Sequence, residues 1–163
     1  METVEKERLY SSILQSIEQK LHQIGDITAQ KLYMVIVNQL SSIPYFNWTG
    51  IYLVNKEKNE LELDYYVGKT TEHTHIPIGR GVCGSAVADK TDKIVEDVTL
   101  EDNYLACSLE TRSEIVVLIE DGAQIIGQID VDSDTIAAFD EIDRKYLRQI
   151  AELIFENLNF QST

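Results

Sequence analysis

Two cysteines, Cys83 and Cys107, and three acids in strand-like surroundings, Glu114, Asp130 and Asp132, are the residues of this chain best suited to do chemistry. Cys83 lies in Gly79-Arg80-Gly81-Val82-Cys83-Gly84-Ser85, where three glycines let the backbone approach a ligand or another loop closely. Taken alone, a buried cysteine in tight loop-to-helix packing is the plainer reading. Cys107 lies in Asp102-Asn103-Tyr104-Leu105-Ala106-Cys107-Ser108, which has neither alternation nor helical period and reads as a loop over a sheet. Neither cysteine has a CxxC partner, so no metal site and no cofactor is expected. His73 and His75 offer imidazoles on one strand face but read as solvent-facing.

Alternation in Gln124 to Asp132 puts Gln128, Asp130 and Asp132 on one face and Gly127, Ile129 and Val131 on the other. Pairing around an Asp121-Gly122 turn sets residues whose numbers sum to about 243 or 244 opposite one another, so Glu114 is expected to face Asp130. Three acids on two paired strands make an anionic pocket suited to an ammonium group, with one raised pKa available to donate a proton. An edge strand with one wet face would give the same alternation with no site at all.

The elements that must position these residues follow from periodicity. Ile13, Leu14, Ile17, Leu21 and Ile24 recur at helical spacing within Val4 to Ile24, and Gly25 stops that helix. Asp26 is the expected N-cap of a second helix carrying Leu32, Val35, Ile36 and Leu40, closed by Pro44. Strands are expected over Phe46 to Val54 and Glu60 to Val67 as a hairpin, then a short extended piece over His75 to Ile78. A short helix over Gly81 to Ala88 precedes strands at Lys93 to Val98, Ser113 to Glu120 and Gln124 to Asp132. Phe139-Asp140-Glu141 opens a terminal helix with Ile142, Tyr146, Leu147, Ile150, Leu153 and Ile154 on its apolar face. Strands joined largely by hairpins predict an antiparallel sheet in an α+β fold, with the N- and C-terminal helices packed together on one face.

Length and composition narrow the function. The chain has 163 residues, 44% hydrophobic and 26% charged, which suits one soluble domain over 1–163, with N-terminal helices over about 3–43 and a core over about 44–163. A net charge of −14 repels phosphate backbones and anionic lipid, so neither nucleic acid nor membrane is an expected partner. No apolar run exceeds the six residues Leu32 to Val37, and the first residues lack the pattern of a signal peptide, so a cytoplasmic location is expected. The amphipathic first helix makes a homodimer reasonable.

Several runs together resemble the free methionine-(R)-sulfoxide reductases, enzymes built on a GAF domain. They are Asn47-Trp48-Thr49-Gly50-Ile51-Tyr52, Ile76-Pro77-Ile78-Gly79-Arg80-Gly81-Val82-Cys83-Gly84 and Ala106-Cys107-Ser108. Ser113-Glu114-Ile115-Val116-Val117, Gly127-Gln128-Ile129-Asp130-Val131-Asp132-Ser133 and Phe139-Asp140-Glu141 continue the likeness, which runs from about residue 10 to residue 155. The resemblance implies reduction of free L-methionine-(R)-S-oxide, with Cys107 as the attacking cysteine and Cys83 as the one that closes a disulfide with it. It implies that Glu114, Asp130 and Asp132 hold the ammonium and sulfoxide of the substrate, inside an aromatic wall of Trp48 and Tyr52. It further implies recycling by a dithiol such as thioredoxin and a part in repair after oxidative stress. Many members carry a further cysteine ten residues before the one in the glycine loop, where this chain has His73, so it resembles a two-cysteine variant. A non-catalytic GAF sensor of small molecules, or a dimerisation module with inert cysteines, remains the alternative.

Overall fold

A computed structural model describes residues 1–105 and 108–159. Two helices open the chain, α1 (Thr3–Gln23) and α2 (Ala29–Leu40). The N-cap of α2 is Thr28 and not Asp26: its Oγ1 accepts from the Lys31 N–H at 3.2 Å, satisfying one of the first-turn donors. Strands β1 (Trp48–Asn55), β2 (Glu60–Val67) and β3 (His75–Pro77) follow, then α3 (Gly81–Asp89) and β4 (Lys93–Val95). A 3-10 turn at Val98–Leu100 leads towards β5 (Ser113–Asp121), β6 (Gln124–Ser133) and α4 (Glu141–Asn159). β4 is shorter than its sequence suggests because the chain turns into that 3-10 piece, capped by Asp97, instead of running on to Val98.

The six strands form one antiparallel sheet in the order β3-β2-β1-β6-β5-β4. α1, α2 and α4 cover one face, and α3 packs against β3, β5 and β6. The helix side holds the larger core, with Tyr10, Ile17, Leu32, Ile36, Ile51, Ile115, Ile129, Leu147 and Ile150 all sealed from solvent. The apolar stripe of α1 (Tyr10, Ile13, Ile17, Leu21) is buried in this core, so it is not left as a face for a second copy. Among the described residues no helix is long and apolar enough to cross a membrane.

β6 runs between β1 and β5, so its acidic face is not the wet side of an edge strand. Register departs from expectation by two residues. The hairpin closes with Asp121 opposite Gln124, so its loop is Gly122-Ala123, and an irregularity between Ile119 and Glu120 adds one more residue of offset. Glu114 therefore pairs with Asp132, and Val116 stands opposite Asp130. An even offset keeps every side chain on its expected face, because the strand period is two.

Candidate active site

The second, smaller core on the α3 side of the sheet contains Trp48, Tyr52, Cys83, Ala86, Val116 and Leu118. Into this apolar layer the sheet projects Glu114, Gln128, Asp130 and Asp132, at 4%, 0%, 0% and 1% exposure. Three carboxyl groups this deep cannot all stay ionised without a cation. Burial, followed by the charges of Asp130 and Asp132, holds the Glu114 carboxyl well above its ordinary range, and burial pushes Asp130 up to about 6. Neither oxygen of Asp130 meets an N–H donor among the described residues. Its hydrogen bonds with Glu114 and Cys83 exist when those neighbours keep and share their protons. No Lys or Arg of the described residues forms an ion pair with Glu114 or Asp130. The acids thus hold and share protons in an apolar layer, where a cation would relieve their burial.

Cys83 reaches this wall from α3: its thiol donates to Glu114 Oε1 at 3.6 Å, and Cys83, Glu114 and Asp130 each offer an atom within 4.8 Å of the others. Gly84 makes that approach possible, since a Cβ there would lie 2.5 Å from the Pro77 carbonyl oxygen. Asn103 ties the incoming segment to the same loop. Its Oδ1 accepts from the Gly81 N–H at 3.1 Å, and its Nδ2 donates to the Gly79 carbonyl and to Ser85 Oγ. Sequence reasoning passed over Asn103; its place in the same run as Cys107 was the available signal. Cys107 itself, with Ala106, lies outside the described residues.

Trp48 and Tyr52 share the pocket face of β1, their rings 6.3 Å apart, and Tyr66 stacks on Trp48 at 5.4 Å. The β2–β3 connection pins both rings: Trp48 Nε1 donates to the Lys69 carbonyl at 3.2 Å, and the Tyr52 hydroxyl donates to the His73 carbonyl at 2.7 Å. The Trp48 indole lies flat over Gly50, where a Cβ would stand 2.4 Å from the ring. Gly50 is opposite Asp130 across β1–β6, so its missing side chain is the space through which indole and carboxylate share one face. A cleft of about 140 Å³ is lined by Trp48, Asp132, Ser108, Thr111 and Lys69, so of the three acids it reaches Asp132. A larger groove of about 280 Å³ beside Lys20, Met34 and Asn38 has no thiol or carboxylate in its lining, so chemistry and not volume selects the site. His73 is half-buried in the pinning loop; His75 is exposed and 3.0 Å from Glu60.

No protein-family profile matches the chain. It is similar to the free methionine-R-sulfoxide reductase of Neisseria meningitidis, whose structure was solved in complex with its substrate. Identity is 33%, the TM-score is 0.86, and the match covers 94% of this chain and 92% of that one. A solved GAF domain matches 91% of this chain and 86% of its own at 32% identity and a TM-score of 0.79. The free methionine-R-sulfoxide reductase of Escherichia coli is 41% identical over 104 residues, 64% of this chain and 61% of that protein.

Proposed function

The chain belongs to the free methionine-R-sulfoxide reductases, oxidoreductases of GAF fold, and from that membership we propose that it reduces free L-methionine-(R)-S-oxide through Cys107 and Cys83. The observation that carries the reading is the wall of Glu114, Asp130 and Asp132, three buried acids beside a thiol and two aromatic rings.

An amino acid's ammonium supplies the positive charge this wall needs, and Trp48 and Tyr52 are suited to pack on the methyl sulfoxide end. The Cys107 thiolate attacks the sulfoxide sulfur, while a carboxyl kept protonated by burial delivers its proton to the departing oxygen. The S–O bond breaks and the oxygen leaves as hydroxide; hydroxide or water then adds to the Cys107 sulfur, the new S–S bond breaks to release methionine as the thioether, and Cys107 is left oxidised as the sulfenic acid. The Cys83 thiol then displaces water from that sulfenic acid, giving a Cys83–Cys107 disulfide, which an external dithiol such as thioredoxin returns to two thiols. Such a cycle suits the reducing cytoplasm and the repair of oxidised methionine. Carboxylates near a thiol oppose its ionisation, so arrival of the substrate ammonium also favours the attacking thiolate.

The test is a single turnover without reductant. Cys107→Ser is expected to form no methionine, and Cys83→Ser about one methionine per site followed by a trappable sulfenic acid. The reverse pattern exchanges the two roles. N-acetylation of the substrate removes its charge and leaves Glu114 and Asp130 without a counter-charge, so a thioredoxin- and NADPH-coupled assay should fall by a factor of 100 or more. Equal rates on both substrates refute the ammonium assignment.

A further inference from the structure

Two groups of side chains in the fold have the composition of a cation site. Glu60, Glu62 and His75 form the first, on the surface, where the Lys58 ammonium already stands 4.0 Å from Glu60 and 3.2 Å from Glu62. That positive charge competes with any metal, and the group carries nothing further. Cys83, Glu114 and Asp130 form the second, fully buried, with no lysine or arginine against Glu114 or Asp130 among the described residues.

We propose that the reduced pocket binds a thiophilic divalent cation of the zinc class through Cys83 Sγ, one Glu114 oxygen and one Asp130 oxygen, and that this cation excludes the substrate. Geometry is the first support. A tetrahedral site with metal–sulfur and metal–oxygen bonds of about 2.3 and 2.1 Å has a sulfur-to-oxygen edge of about 3.6 Å. Cys83 Sγ and Glu114 Oε1 are 3.6 Å apart, and all three ligand atoms lie within 4.8 Å of one another. The second support is Asp130, sealed from solvent, with no N–H donor on either oxygen and both sheet neighbours on its face, Gly50 and Val116, unable to provide one from a side chain. A carboxylate in that state lacks a cation, and a metal ion meets the lack as an ammonium does. One thiolate and two carboxylates match zinc's mixed preference better than that of calcium or magnesium, which take oxygen alone. Binding balances by release of the thiol proton and the proton shared by the carboxyls; no electron moves. Water or Asp132 completes the coordination. Since the ligand must be the thiolate, a pocket whose Cys83 is oxidised cannot hold the ion.

The blocking of turnover rests on the function proposed above; the binding does not, and the experiment separates the two. Reduced, chelator-stripped full-length protein is titrated with Co²⁺ in the absence of substrate. A cobalt–thiolate charge-transfer band saturating at one ion per chain, and bleached by one equivalent of Zn²⁺, is expected. Cys83→Ser should abolish the band, Asp130→Asn should weaken Co²⁺ binding tenfold or more, and His75→Ala should leave it intact. A band that survives Cys83→Ser, or is lost in His75→Ala, overturns the assignment, as does the lack of any band. Thermal melts of each variant exclude loss through unfolding, and Asp130→Asn gives a graded readout if Cys83→Ser does not fold. In the coupled assay Zn²⁺ should raise the apparent KM for free methionine sulfoxide without lowering kcat; a band with no inhibition refutes only the blocking role.

Discussion

Among the described residues, two groups of buried carboxylates stand on opposite sides of the sheet and are treated oppositely. On the helix side Asp143 is fully enclosed, yet Lys6 Nζ lies 2.5 Å from it, the Tyr10 and Tyr45 hydroxyls donate to it at 2.7 and 2.6 Å, and the Asp140 N–H adds a fourth bond. Lys6 is itself buried, and also reaches the Ala138 carbonyl and Asp140. Burial first, and then Asp143, pushes both tyrosine hydroxyls above their ordinary range, so they remain donors. That cluster closes on itself and locks the start of α1 to the start of α4. On the α3 side Glu114 and Asp130 are also buried, but among the described residues neither lysine nor arginine pairs with them. Completed charge holds the fold together; the incomplete charge is the one the proposed function assigns to a ligand.

The largest effect that tests this contrast is on turnover. Asp130→Asn keeps the shape but removes a charge and a transferable proton, so kcat/KM should drop about 10³-fold with the fold retained. Near-normal activity would make the α3-side acids passive. The matching change on the helix side is Lys6→Met, which strands Asp143 and should cost about 3–5 kcal/mol in urea unfolding, with activity per folded molecule changed less than threefold. If Lys6→Met instead lowered kcat without lowering stability, the two clusters would not divide structure from chemistry.

A pH dependence sharpens the same point. Asp130 and Glu114 have folded-state pKa values raised by burial, so their contribution to stability is fully present below about pH 4 and lost as pH rises through about 6 and beyond. The apo protein should therefore lose about 2–3 kcal/mol over that window. Asp130→Asn should flatten much of this loss, and free methionine should restore stability to the wild type but not to the variant. A wild-type curve that rises from pH 4 to 7 while the variant matches it would contradict the shift. The smallest effect belongs to Gly50→Ala: a Cβ 2.4 Å from the indole must displace Trp48, raising KM about tenfold with kcat changed less.

Much of the site could be read along the chain. Strand alternation put Asp130 and Asp132 on one face, and the period of two kept Glu114 on that face even though the hairpin register moved by two residues. What moved was the partner: Asp132 and not Asp130 stands opposite Glu114, because the loop closed at Gly122-Ala123 and an irregularity followed Ile119. Turn chemistry narrows a register to a few choices, and side-chain packing selects among them. The ties of Trp48 to Lys69 and of Tyr52 to His73 run through backbone carbonyls, which carry no residue-type signal at all. Asn103 was equally silent, an ordinary loop polar residue until its amide met Gly79, Gly81 and Ser85.

By itself the sequence determined the α+β order of elements, the face on which each strand residue stands, the acidic surface charge and the family likeness. These depend on local periodicity and composition, which survive small errors of register. Only the tertiary structure decided that β6 is central, that its acids are sealed from water, and that Lys6 neutralises Asp143 while no lysine or arginine among the described residues reaches Asp130. Lys6 and Asp143 are 137 positions apart, and Cys83 and Glu114 are 31 apart. A carboxylate's protonation and purpose depend on which distant groups the fold brings within a few ångströms, because desolvation and Coulomb energies act through space and not along the chain.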